Sequence, residues 1–102
     1  MSRIETLTEL LSHDPRNAFA RYGLAIEYSN TGQMDQSIDE FQKLLSAHPD
    51  YTAGYFMAAQ TLAKGNRRDD AVKMLREGIA AAQREGDTHA QSEMQAMLDE
   101  IV

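Results

Sequence analysis

The 102-residue chain predicts an all-α fold of about six helices stacked as antiparallel pairs, and three observations carry that prediction. Apolar residues recur three and four apart along the whole length, with no strand-like alternation. Pro15, Gly32, Pro49 and Gly86 fall between the periodic segments, where helices start and stop. The sequence also keeps its pattern when shifted against itself by 34 positions.

Taken in order, Ser2 and Glu5 form an S-x-x-E capping box that opens a first helix, carried by Ile4, Leu7, Leu10 and Leu11 and stopped by Pro15. A second helix is expected from about Asn17 to Asn30, and a third from about Asp35 to Ala47, closed by Pro49. A fourth runs from about Thr52 to Lys64 and a fifth from about Arg68 to Arg84. Gly86 ends the fifth, and Thr88 with Gln91 reads as a second capping box that opens a last helix. In that helix Ala90, Met94, Met97, Leu98 and Ile101 form one apolar stripe, as a terminal cap with one packed face requires.

The 34-residue shift places Tyr22 on Phe56, Ala25 on Ala59, Tyr28 on Leu62, Ile38 on Val72, Phe41 on Leu75 and Leu45 on Ile79. In the other direction Phe41 falls on Leu7, Leu45 on Leu11 and Pro49 on Pro15. Gly32 lands on Asn66, and these residue types best tolerate the left-handed backbone in which helices often terminate. The "NTGQ" turn is therefore expected to be the joint of a repeating unit, with no functional loop of its own.

These positions resemble the tetratricopeptide repeat, of the small stand-alone bacterial type. The first unit offers Leu24, Ala25, Tyr28, Gly32, Ser37, Phe41, Leu44 and Pro49. The second offers Tyr55, Ala58, Ala59, Leu62, Asn66, Ala71, Leu75 and Gly78, with Gln83 where the proline is expected. Arg21 stands at a position that the family fills with a large aromatic, and the last helix keeps no clear register. The resemblance implies a right-handed superhelix of helix pairs. On this reading residues 1–102 are one domain, apparently complete in itself: a half-repeat over 1–15, repeats over 16–49 and 50–86, and a capping helix over 87–102.

Function, if it follows the family, sits on the concave surface lined by the first helix of each repeat. At 100° per residue Phe19, Tyr22 and Ile26 form one stripe, and Arg21, Leu24, Ala25 and Tyr28 another. The second stripe matches the family's packing positions, which leaves the first for the groove. The corresponding residues of the second repeat are Ala53, Phe56, Gln60 and Lys64, with Met57 alongside. Such a surface suits an amphipathic helix or an extended peptide with large apolar side chains. The expected function is a non-catalytic scaffold for a partner protein. The alternative is a homodimer that buries the same groove or the end helix. Family members that grip a chaperone's terminal carboxylate use Lys, Asn and Arg where this chain has Tyr22, Ile26, Met57, Asp87 and Gln91, so that clamp is not expected.

Composition excludes several other classes. The net charge is −6 and no run of like charges exceeds two residues, which argues against nucleic acid or an anionic membrane surface. Without cysteine there is neither disulfide nor thiolate zinc site, and the start lacks a signal peptide's apolar run, so the cytoplasm is expected. His13, His48 and His89 show no metal-ligand spacing, and His48 in "SAHPD" reads as a polar helix cap. No phosphate-cradling glycine loop is present, so no cofactor is expected. The basic run "KGNRRDD" is answered at once by Asp69 and Asp70. Adjacent carboxylates such as Asp39 and Glu40 point apart around a helix, which is unsuited to acid/base catalysis.

Overall fold

A computed structural model describes all residues from Met1 to Val102. Six helices follow one another: α1 (Arg3–His13), α2 (Ala18–Asn30), α3 (Met34–Ala47), α4 (Thr52–Lys64), α5 (Arg68–Glu85) and α6 (Thr88–Ile101). Each packs on the next as an antiparallel hairpin. In addition α2 touches α4 and α4 touches α6, whereas the backbones of α1, α3 and α5 stay apart from one another. One row of helices is thus drawn together and the other splayed, which curves the stack into a superhelix of helix pairs.

Local chemistry sets the ends of these helices. The Ser2 hydroxyl accepts from the Glu5 N–H while Glu5 reaches back to the Ser2 N–H, so the capping box forms as the sequence suggests. Asn17 caps α2 by accepting from the Ala20 N–H. At the joints, Gly32 and Asn66 have φ of +77° and +62°, the left-handed conformation expected from their alignment. The N–H groups of Gln33 and Arg67 then close back on the carbonyls of Tyr28 and Leu62.

The far end differs from expectation in two linked ways. The cap of α6 is Asp87, whose carboxylate accepts from the Ala90 N–H; Thr88, read from the sequence as the cap, is instead the first helical residue. The helix before it also runs further. α1 and α3 each end two residues before a proline, Pro15 and Pro49. At the third such place Gln83 keeps its N–H, so α5 continues to Glu85 and stops at left-handed Gly86. The extra turn and the shorter corner place the start of α6 36 residues after that of α4, against 34 between α2 and α4.

The core is three clusters in series. Leu7, Leu11, Ala20 and Leu24 join α1 to α2. Ala25, Phe41, Leu44, Ala58 and Leu62 bind α2, α3 and α4, and Tyr55, Ala59, Leu75, Met94 and Leu98 bind α4, α5 and α6. Glycines admit the large side chains at two crossings. A Cβ on Gly54 would meet Leu44 and Leu45 at 3.0 Å, and one on Gly78 would meet the Tyr55 Cβ at 2.6 Å.

Buried polar side-chain atoms all find partners. The buried Ser37 hydroxyl donates to the Ala25 carbonyl, and the Ser29 and Thr61 hydroxyls meet at 3.0 Å between α2 and α4. Arg21, the departure from the family's aromatic, is held by Glu40 of α3 at 2.7 Å and also donates to the Pro15 carbonyl. The space an aromatic ring would fill is taken by an ion pair between the two helices of one hairpin. His48 ends α3 through its backbone N–H, while its imidazole lies 3.2 Å from the Arg16 carbonyl. It links two successive corners.

Candidate functional site

The surface where α2, α4 and α6 run side by side is built from residues that the core leaves half free. On α2, Leu24 and Ala25 turn into the interior, and the period of the helix then carries Phe19, Tyr22 and Ile26 to another side. Phe19 is 73% exposed, whereas Tyr22 and Ile26 are half-buried against the central cluster. On α4, Ala58, Ala59 and Leu62 are fully interior, while Phe56, Met57 and Gln60 are half-buried and Ala53 and Lys64 exposed.

A hollow of about 220 Å³ opens on this surface. Its apolar lining comes from Tyr22 of α2, Ala53, Phe56 and Met57 of α4, and Ala90 of α6. Thr52, Asp87, His89 and Glu93 supply the polar rim. Of the groove residues expected from the sequence, Tyr22, Phe56 and Met57 therefore meet in one place. Phe19, Ile26, Gln60 and Lys64 belong to the same helices without lining the hollow.

Tyr22 is fixed from behind. Its ring packs on that of Tyr51, with centroids 5.3 Å apart and the planes tilted by 51°. Burial, reinforced by the neighbouring Tyr51, raises the Tyr22 phenol above the ordinary tyrosine value, and burial raises Tyr51 as well. Both rings are neutral near pH 7, and Tyr22 forms the α2 side of the hollow. The Asp87 carboxylate is held by the Ala90 N–H and the Thr52 hydroxyl, which ties the α6 cap to α4. His89 and Glu93 pair at 3.1 Å along α6.

The contribution of α6 is what the sequence reading missed. A 34-residue step from Ala53 and Met57 leads to Asp87 and Gln91, but the observed 36-residue step leads to His89 and Glu93, and these two line the hollow. The positions compared with a carboxylate clamp were thus two residues early on α6, and the residues that replace them are again neither Lys nor Arg. The available signal was Gln83 at the proline position. α6 stands beside α4 as a wall and does not touch α2, so it does not lie across the hollow.

Elsewhere, a larger crevice of about 490 Å³ lies on the outer side between α3 and α5. Its floor includes the buried Ile38, Tyr55 and Leu62, and its rim carries charges of both signs, with Arg67 paired to Asp70 at 2.8 Å. No three His, Asp or Glu side chains gather as a metal-binding group, and no helix is long and apolar enough to cross a membrane.

Comparison with known proteins follows the same lines. A family model described as tetratricopeptide repeat matches residues 31–98. A TPR repeat-containing protein of Pseudomonas aeruginosa is 26% identical over 98 residues, covering 96% of this chain and 93% of the relative. The solution structure of a tetratricopeptide repeat domain protein from Salinibacter ruber superposes with a TM-score of 0.80 at 30% identity, over 86% of this chain and 89% of that one. PcrH, solved in complex with the chaperone binding region of PopD, superposes with a TM-score of 0.88 at 17% identity, over 96% of this chain and 74% of its own.

Proposed function

The chain belongs to the tetratricopeptide-repeat family, and on that footing we propose that it is a non-catalytic scaffold that binds a peptide or helical segment of a partner protein along α2, α4 and α6. The observation that carries the proposal is the row of half-free apolar side chains at Tyr22, Ile26, Phe56 and Met57, with a hollow set among them. Large apolar residues left partly exposed in a concave setting are where partner side chains gain most from burial. Gln60 and Lys64 supply polar orientation at the far end of α4. The PcrH complex supports the reading to the extent that a protein of the same fold has a polypeptide segment as its ligand. The cysteine-free chain needs no oxidising compartment, and we extend the proposal to a cytoplasmic setting.

The test is a selection of peptides from a random display library on the full chain, followed by measurement of the selected peptides on the Tyr22→Ala, Phe56→Ala double variant. Affinity is expected to fall by about tenfold or more with the helical circular-dichroism signal unchanged. Undiminished binding to a folded double variant would refute the assignment. Phe19, 73% exposed at the edge of this surface, favours one second reading, in which another copy of the chain covers it. Sedimentation over a range of concentrations separates the two.

A further inference from the structure

We propose that the hollow between Tyr22, Phe56 and Ala90 takes one large apolar side chain from a partner segment that carries a lysine or arginine beside that anchor. The inference rests on the binding surface proposed above and adds the chemistry it selects.

Size comes first. At about 220 Å³ the hollow falls below the roughly 300–1,000 Å³ of sites that enclose whole small molecules. It has room for a single aromatic or branched aliphatic side chain. The Phe56 ring and the unbranched Met57 offer it apolar contact, and the thioether adapts to differences in shape.

Charge decides what flanks the anchor. The lining contains no lysine or arginine, while α6 brings two carboxylates to one side of it, Asp87 and Glu93. Asp87 is held in place by its hydrogen bonds to the Ala90 N–H and the Thr52 hydroxyl, which fix its carboxylate at this corner. Glu93 is exposed, and its one close side-chain partner is the His89 imidazole, 3.1 Å away on the same helix. A cation arriving next to the anchor gains the attraction of both carboxylates. An acidic flank meets repulsion here and from the net charge of −6. Phe19 with Arg16 three residues before it offers similar chemistry, so a second copy of the chain is the occupant the experiment has to separate.

The experiment uses a random dodecapeptide display library on the full chain, then fluorescein-labelled synthetic versions of the enriched peptides measured by anisotropy. Enriched peptides are expected to share a large apolar residue with lysine or arginine within a few positions. Glu93→Lys, an exposed substitution, is expected to weaken them about two- to tenfold and to flatten the dependence on salt. Ala53→Trp fills the hollow from an exposed position and is expected to remove binding while the circular-dichroism spectrum stays unchanged. Peptides with acidic or neutral flanks, or affinities indifferent to Glu93→Lys, would overturn this inference and leave the binding surface standing. Binding indifferent to Ala53→Trp, or no enrichment at all, would remove the surface and the inference together. A dimer in sedimentation that Ala53→Trp dissociates would make the second copy the occupant and overturn the inference as well.

Discussion

Gly78 and Gly23 both lie inside helices, and the structure predicts that alanine has opposite effects at the two positions. An alanine in a helix interior is intrinsically better than glycine by roughly 0.8–1.0 kcal/mol, whatever the helix. At Gly23 nothing opposes that gain. The added Cβ would meet Leu7 Cδ1 at 3.4 Å, an ordinary contact with the movable end of a side chain. At Gly78 the Cβ would lie 2.5 Å from the Met94 sulfur and 2.6 Å from the Tyr55 Cβ. Met94 can bend away. Tyr55 cannot, because its Cβ is fixed to the backbone of α4 and its hydroxyl donates to the Pro49 carbonyl at 2.8 Å. α5 must therefore back away from α4 across a fully buried contact, and such overpacking costs about 1–3 kcal/mol. The net expectation for Gly78→Ala is a loss of up to about 2 kcal/mol, against a gain of up to about 1 kcal/mol for Gly23→Ala. For a chain of this size each kcal/mol moves the thermal midpoint by about 4–8 °C, so the variants should melt on opposite sides of the parent. Thermal and urea denaturation followed at 222 nm measure both. A Gly78→Ala variant stabilised as much as Gly23→Ala would show that the α4–α5 crossing is not fixed by this contact.

Two further outcomes follow from the same interior. Arg21→Ala leaves the Glu40 side chain, 9% exposed, without its close partner, and Lys43 at 3.8 Å replaces it in part. A loss of about 1–3 kcal/mol in urea denaturation is expected, below the range for a fully buried pair because the Arg21 side chain keeps 18% exposure. The double change Arg21→Met, Glu40→Leu should recover most of it, and a double variant as weak as the single would contradict an electrostatic cause. Tyr22, Tyr51 and Tyr55 have pKa values raised by burial, so their neutral forms favour the folded state. That contribution is complete below the unfolded tyrosine value of about 10 and is lost as pH rises through the folded values. Absorbance at 295 nm should show three tyrosines ionising late, together with a fall in thermal midpoint only at alkaline pH.

The helices and their joints were legible because they depend on near neighbours in the chain. Periodicity located every helix, and the alignment of Gly32 with Asn66 identified two left-handed turns. The Arg21–Glu40 pair was not legible, since its members stand 19 positions apart and meet only when α2 and α3 fold together. Tyr22, Phe56 and Met57 of the expected groove come together, but His89, Ala90 and Glu93 on the α6 side of the hollow escaped detection. Its register depends on how far α5 runs, and that length is decided by whether one corner residue can donate a hydrogen bond. The capping box drawn on Thr88 failed for a related reason: Asp87 is a better acceptor one residue earlier and captures the first turn.

Gln83, where two other corners carry proline, points to a way in which stacked architectures diversify. Because one imino acid sets where a rod stops, its absence at one corner lets the preceding rod run on and shifts by two residues which side chains of the next rod meet the shared surface. His89 and Glu93 line the hollow beside Phe56 because α5 runs on to Glu85 before the chain turns.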